Sequence, residues 1–284
     1  MTARHGVAHN GFTEIHYDVF GDAAHPTLLL VNGLGSQCIN YADEWCQLFV
    51  DEGLQVVRYD NRDVGLSSKL DDAPTGVHGE ACLVSDMVAD GIAVLDELGV
   101  QQAHVMGLSM GGMIVQNMAI LHPSRMLTMT SVMSSTGEPD YRKSTLRATQ
   151  LLTAPPAADR EGYVQQWIDG LQEWGSPAFA DEARWRTPAE HSYDRGFHPG
   201  GSTRQYLAIL ASGSWADALP QVTVPSLVLH GDADTLIDQI GGRRTAELIP
   251  GARFELIEGM GHDYPRQLWR QWTDLVAGHI RANS

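Results

Sequence analysis

The sequence predicts an α/β class: a mostly parallel sheet flanked by helices and interrupted by one helical insertion. Three observations carry this. Short apolar runs alternate with amphipathic stretches, the pattern of strands that cross over through helices into a parallel sheet. The alternation stops between residues 134 and 219 and resumes at Val224. A glycine-flanked serine, Gly107-x-Ser109-x-Gly111, stands where a predicted strand meets a predicted helix.

The elements follow in chain order. Phe12 to Phe20 alternates well enough for an antiparallel edge strand. The buried strands are Thr27 to Val31, Leu54 to Tyr59, Ala103 to Met106, Leu127 to Met133, Ser226 to Leu229 and Arg253 to Ile257. Most are short and apolar and end near Gly, Asn or Asp, as turns require. Val84 to Leu98 has apolar residues at helical spacing, with Gly99 as its stop. Met113 to Leu121 is a second helical run. Between Ser134 and Leu219 no strand candidate occurs, and Pro, Trp and fragments of helical pattern take over. The expected organisation is one core, residues 1–133 and 220–284, with a helical cap or lid inserted at 134–219. No internal repeat or low-complexity tract is present.

Composition excludes classes without choosing a function. At 284 residues the chain suits a single large α/β domain with a core that needs neither disulfides nor metals. A net charge of −16 argues against nucleic acid or an anionic membrane as partner. No tract reaches the roughly 18 apolar residues of a membrane span. The start, MTARHGVAHNGF, lacks the apolar core of a secretory signal. Cys38, Cys46 and Cys82 have no metal-site spacing, and an odd number speaks against a disulfide framework. A reduced, cytoplasmic protein without metal is expected.

The serine motif carries chemistry. A serine on a sharp strand-to-helix turn sits in strained backbone, so the flanking positions must be small, and the following helix aims free N–H groups at any anion formed there. A serine hydroxyl needs a base to take its proton, and the base needs an orienting carboxylate. On α/β sheets that carry such a turn the chain order is Ser, acid, His. His262, in GMGHDYP just beyond the strand ending near Ile257, fits as base. His279 lies in the last helical run, His104 and His230 in or at the ends of strands, and His122, His191 and His198 precede the acid. The acid belongs after Ser226 to Leu229, where HGDADTLID holds Asp232 and Asp234. A turn spends its first Asp on backbone hydrogen bonds, which favours Asp234 for the histidine. Glu138 and Asp140, after the preceding strand, form a minor alternative. A tetrahedral intermediate needs two preplaced donors, each worth roughly 3 kcal/mol. The amide of Met110 is one, and Leu34, in the NGLGS loop after TLLLV, is the candidate for the other. In RYDNRDVGLSS, the charges Asp60, Arg62 and Asp63 are expected to pin a loop beneath the site.

Together, LLLVNGLGS, VVRYDNRDVGLSS, HVMGLSMGG, PSLVLHGDADTL and IEGMGHDYP resemble the α/β-hydrolase superfamily along nearly the whole chain, the cap excepted. RYDNRDVG and GMGHDYP resemble, more narrowly, the esterases typified by aclacinomycin methylesterase, and macrolide esterases are similar in the same segments. The resemblance implies an eight-stranded sheet, no cofactor, and a triad at Ser109, Asp234 and His262. One departure is that Asn32 precedes Gly33 where many members have His-Gly.

These readings converge on a serine-dependent carboxylic ester hydrolase working through an acyl-enzyme. The expected partner is a small-molecule ester or lactone, bulky and of the macrolide or polyketide kind. Trp167, Trp174, Trp185, Tyr206 and Trp215 are candidate substrate contacts, set against the plainer reading that most cap aromatics form the cap's own core. The competing functions are a small-ester carboxylesterase, a cofactor-free perhydrolase, a carbon–carbon bond hydrolase, and a ligand-binding receptor of the same fold. A dehalogenase would need a carboxylate where Ser109 stands.

Overall fold

The computed structural model describes residues 3–77 and 79–283. Its strands are β1 (Arg4–Asn10), β2 (Thr13–Phe20), β3 (Thr27–Val31), β4 (Gln55–Tyr59), β5 (Ala103–Leu108), β6 (Met126–Val132), β7 (Ser226–Gly231) and β8 (Arg253–Ile257). Its α-helices are α1 (Asp43–Asp51), α2 (Val84–Glu97), α3 (Met110–Leu121), α4 (Leu146–Leu152), α5 (Arg160–Trp174), α6 (Arg186–Gly196), α7 (Pro199–Ser212), α8 (Ile240–Leu248) and α9 (Trp269–Ala282).

The strands form one eight-stranded sheet in the order β1-β2-β4-β3-β5-β6-β7-β8. The β1–β2 and β2–β4 pairings are antiparallel, and β3 to β8 run parallel. Every residue of β3, β4 and β5 is buried, which explains their unbroken apolar runs: both faces of a central parallel strand are covered. On one face Val84, Met87, Val88, Val94 and Leu95 of α2 and Met110, Met113 and Ile114 of α3 join a core with Leu29, Val57 and Val105. On the other, Trp45 and Phe49 of α1 meet Trp272, Val276 and Ile280 of α9 over Leu28, Leu30 and Met106. There the Trp45 ring lies parallel to Trp269 at 5.6 Å and edge-on to Trp272 at 5.5 Å. Helix α2 starts where predicted, with the Asp86 carboxylate accepting the Leu83 amide at 2.7 Å.

Strand β1 was not anticipated from the sequence. Of RHGVAHN only Ala8 is buried, so the segment shows no apolar period; it is an edge strand held by backbone pairing to β2, with Asn10 opposite Thr13 across the Gly11–Phe12 turn. The expected edge strand, Phe12 to Phe20, is therefore the second strand of the sheet.

The order reverses between β3 and β5, which are neighbours although β4 lies between them in sequence. Loops leaving the carboxyl ends of strands at such a reversal diverge and leave a crevice. The turns after β3, β5, β7 and β8 carry Leu34, Ser109, Asp234 and His262. Between β6 and β7 the described residues form α4 to α7 and short 3₁₀ turns, with no strand.

Candidate active site

Ser109 links β5 to α3 at φ 55 and ψ −116, a backbone region that a residue with a side chain rarely adopts. Its amide donates to the Val132 carbonyl at 2.9 Å, tying the turn to β6. The flanking glycines are required by space. A Cβ on Gly107 would lie 2.1 Å from the Gly111 carbonyl oxygen, and one on Gly111 would lie 2.1 Å from that of Val31. The turn thus packs backbone on backbone and leaves the serine side chain as its projecting group, half-buried.

His262 Nε2 lies 2.9 Å from Ser109 Oγ, and His262 Nδ1 lies 2.7 Å from Asp234 Oδ2. Burial pushes the Asp234 carboxyl up, but the charge of His262 and hydrogen bonds from His230 and His262 outweigh it and hold it at about 2. An ionised carboxylate only accepts, so Nδ1 carries the ring proton and Nε2 is left to accept from the serine hydroxyl. The other oxygen of Asp234 accepts the amides of Leu236 and Ile237 at 2.9 and 2.8 Å. Such an array can draw a proton from the serine as its oxygen attacks a carbonyl carbon.

The alternatives lie elsewhere. Asp232 accepts the Gly259 amide at 2.7 Å, a backbone bond that reaches the loop after β8, while the bonds within its own turn fall to Asp234 instead. Glu138 pairs with Arg244 at 3.0 Å. His104 bonds Thr128 at 3.0 Å within the sheet, and burial pushes it down to about 4. His279 lies in α9, 3.2 Å from the Pro225 carbonyl oxygen.

The β3 loop runs beside Ser109: a Cβ on Gly33 would lie 3.3 Å from the serine Cβ. Among the described residues neither the Leu34 nor the Met110 amide donates a hydrogen bond, whereas Gly35 donates to Gln205 Oε1 at 2.8 Å. Two free amides on the two loops that bracket the serine have the form of an oxyanion site. Asn32, in place of the more common His, donates its Nδ2 to the Gln37 carbonyl at 2.9 Å and holds the loop's shape from within.

The sequence matches the family model of the alpha/beta hydrolase fold over residues 26–264. The chain belongs to the α/β-hydrolase fold family. It is 31% identical to a rhodomycin D methylesterase of Streptomyces peucetius, over 92% of this chain and 93% of that one. A second rhodomycin D methylesterase, from Streptomyces sp. strain C5, is 29% identical with the same coverage of both chains. Among solved structures, the enol-lactonase of Burkholderia xenovorans LB400 superposes with a TM-score of 0.76 at 24% identity, covering 97% of this chain and all of that one.

In this hydrolase-fold chain the segment between β6 and β7 is bonded to the loops that carry the site. Trp174, at the end of α5, accepts the His262 amide at 2.5 Å through its carbonyl oxygen. Ser176 Oγ accepts the Gly261 amide at 2.8 Å and donates to Asp263 Oδ1. Burial pushes the Asp263 carboxyl up, against the bonds from Ser176 and the charge of His262. The charges of RYDNRDVGLSS pin structure as expected, and two of them reach the segment between β6 and β7. Arg62 pairs with Asp90 at 2.6 Å, Asp63 with Arg204 at 2.5 Å, and Asp60 with Arg195 at 2.8 Å. Asp60 is wholly buried, and it also takes the Cys38 and Leu66 amides. Removing its cation strands a buried charge, so Arg195→Met is expected to cost about 3 kcal/mol, read from chemical denaturation. A loss below about 1 kcal/mol, the scale of a surface pair, would contradict this.

The candidate aromatics separate into groups. Tyr163 stands 6.1 Å from Trp167, 5.7 Å from Tyr193 and 5.0 Å from Phe197, so these rings pack on one another within the insertion. Trp174 touches the site loop through its backbone, while its ring covers Gly170. Trp185 and Tyr206 are half-buried. Trp215 is 7% exposed, lies in the core beside α3 and donates its indole N–H to Gln116 Oε1 at 2.8 Å; this placement makes it a packing residue. Gln205, Ser176 and Arg195 carry no signal in the sequence, because their partners lie far away along the chain, and Trp174 stands out there for its ring and not for the carbonyl that holds His262.

Among the described residues one group has the residue types of a metal site: His5, His16 and Asp18 on the β1–β2 hairpin, with ligand atoms within 4.8 Å of one another. Asp18 already faces Arg58 at 2.8 Å, whose charge opposes a second cation there. The free cysteines Cys38, Cys46 and Cys82 are all buried. No helix among the described residues is long and apolar enough to cross a membrane.

Proposed function

We propose that this chain is a serine-dependent carboxylic ester hydrolase. The observation that carries the reading is the continuous array from Ser109 Oγ through His262 to Asp234, at 2.9 and 2.7 Å, with the serine set on strained backbone between β5 and α3. His262 takes the hydroxyl proton as Ser109 attacks the ester carbonyl, and the amides of Leu34 and Met110 receive the oxyanion. His262 returns the proton to the leaving alcohol. Water, activated by the same ring, then releases the acid and regenerates the serine. Asp234 stays ionised throughout and stabilises the imidazolium.

The substrate proposed is a bulky ring-bearing ester of the polyketide or macrolide kind, with residues 134–219 acting as the lid over it. Support comes from the methylesterase names of the relatives in the preceding section, which align over nearly their whole length. Trp174, Trp185 and Tyr206, half-buried in the insertion, are the aromatic side chains proposed to meet the ring system.

A substrate panel resolved by mass spectrometry tests this: a polyketide methyl ester, several macrolactones and short-chain aryl esters. The expected product is a polyketide acid with loss of methanol. A macrolactone product heavier by one water and in one piece would instead place the bond cleaved within the ring of a macrolide. Turnover of small aryl esters alone would remove the proposal of a bulky substrate.

A further inference from the structure

A second buried histidine faces the same carboxylate as His262. His230 stands in β7, next to its last residue, and is 0% exposed. Its Nε2 lies 2.8 Å from the Ile237 carbonyl oxygen and 3.3 Å from Asp234 Oδ2. A carbonyl oxygen only accepts, so the His230 proton sits on Nε2. That N–H is bonded to Ile237, and the same nitrogen stands 3.3 Å from the very oxygen that accepts from His262 Nδ1.

The other ring nitrogen explains why the arrangement is fixed. His230 Nδ1 has no hydrogen-bond partner, and α8 closes directly over it. A Cβ on Gly242 would lie 2.4 Å from Nδ1, so only glycine lets the helix approach so closely. A proton moved to Nδ1 would meet no acceptor, and Nε2 would lose both of its own. The ring is therefore locked by packing in one tautomer, with its N–H on the Ile237 carbonyl and beside the acid. Leaving a buried acceptor unpaired is costly, and a leucine or phenylalanine of similar size would avoid it.

We propose that His230 is a positioning residue: its Nε2–H, anchored on the Ile237 carbonyl, holds the Asp234 carboxylate in the rotation that presents Oδ2 to His262 and shares the charge on that oxygen. This rests on the reading of Ser109, His262 and Asp234 as the catalytic array. Its first consequence is geometric, since a carboxylate free to rotate carries the His262 ring away from Ser109. Its second is electrostatic. Without the His230 donor, the charge on Oδ2 falls wholly on His262 and favours its protonated form, so the pair takes up a proton at higher pH.

The neighbouring charges leave this effect assignable. Asp234 is faced by His262 and His230, and His262 by Asp234, the Ser109 hydroxyl and Asp263. Asp263 is bonded to Ser176 on the insertion. Helix α8 meets the His230 ring with Gly242.

The test is the pH dependence of kcat and kcat/KM on a short-chain aryl ester for wild type, His230→Leu and His230→Gln, with folding checked by thermal melting. His230→Leu is expected to lower kcat by about 10- to 100-fold and to move the acidic limb to higher pH. His230→Gln, whose amide nitrogen reaches the position of Nε2, is expected to restore the limb and most of kcat. If the leucine variant fails to fold, His230→Asn, whose shorter amide falls short of Asp234, replaces it with the same expectations. A folded variant lacking the donor whose acidic limb stays at the wild-type position would overturn the proposal, as would a glutamine variant that behaves like leucine. Ser109→Ala, run alongside, separates the two claims. If it is inactive while the limb stays unmoved in the donor-less variant, only the role of His230 falls; if it is active, the array itself has been misread.

Discussion

Ser109→Ala is expected to lower ester turnover by at least about 10⁴-fold while the protein stays folded. The expectation follows from what the hydroxyl does in the structure. Ser109 Oγ bonds His262 Nε2, and the turn itself is held by the Ser109 amide on Val132 and by the close approach of Gly107 and Gly111 to neighbouring backbone. Alanine keeps those constraints and meets the same φ of 55 with a Cβ of the same kind. What it removes is the atom proposed to form the acyl bond. Steady-state kinetics beside a melting curve check both halves: unchanged melting with lost turnover is expected, and substantial turnover in the variant would contradict the assignment.

The second large effect separates two aspartates two residues apart. Asp234→Asn is expected to cost about 10⁴-fold in kcat. The asparagine oxygen can still accept the amides of Leu236 and Ile237, which turns its NH₂ toward His262. Nδ1 must then accept, the ring proton moves to Nε2, and the base faces Ser109 with a hydrogen where it needs a lone pair. Asp232→Asn should keep most of the activity, because the Gly259 amide finds an acceptor in either side chain. The Asp234 carboxyl also links to stability. Its folded value of about 2 lies below the ordinary 3.8, so its contribution is present above 3.8 and is lost as pH falls through 2. Between those values wild type should lose stability more steeply than Asp234→Asn, as followed by denaturant midpoints at stepped pH.

Much of this site can be read from the sequence, for reasons that lie in particular residues. Gly107, Ser109 and Gly111 announce a turn whose strain leaves few options, and the strand before it and the helix after it are strongly patterned. Turn chemistry favours Asp234 over Asp232 for a different reason from the one observed: Asp234 makes the local turn bonds, to Leu236 and Ile237, and still presents its other oxygen to His262, while Asp232 bonds Gly259 across the loops. The parallel strands were legible because burial on both faces demands unbroken apolar runs. Strand β1 was hidden because an edge strand held by backbone bonds can keep a polar sequence. The contacts between the β6–β7 segment and the rest of the chain were hidden for a different reason. Asp60 and Arg195 are 135 residues apart, and Gly35 and Gln205 are 170 apart, so no local pattern relates them. His230 illustrates a finer limit. Its place at the end of a strand predicts burial, which is correct, but its second contact, with Asp234, depends on a turn closing back over it. Trp215 shows the reverse case: an aromatic in an insertion looks available to substrate until its indole is seen bonded to Gln116.

Ser109 is tested most directly as the nucleophile by trapping it as a covalent phosphonyl adduct. Wild type and Ser109→Ala would be treated with a fluorophosphonate, digested with trypsin and sequenced by mass spectrometry. Ser109 falls in the peptide spanning residues 70–125, between Lys69 and Arg125. One adduct per chain is expected, on Ser109, formed in step with loss of esterase activity and missing from the alanine variant. Loss of activity with the adduct on any other residue, or equal labelling of the variant, would contradict it.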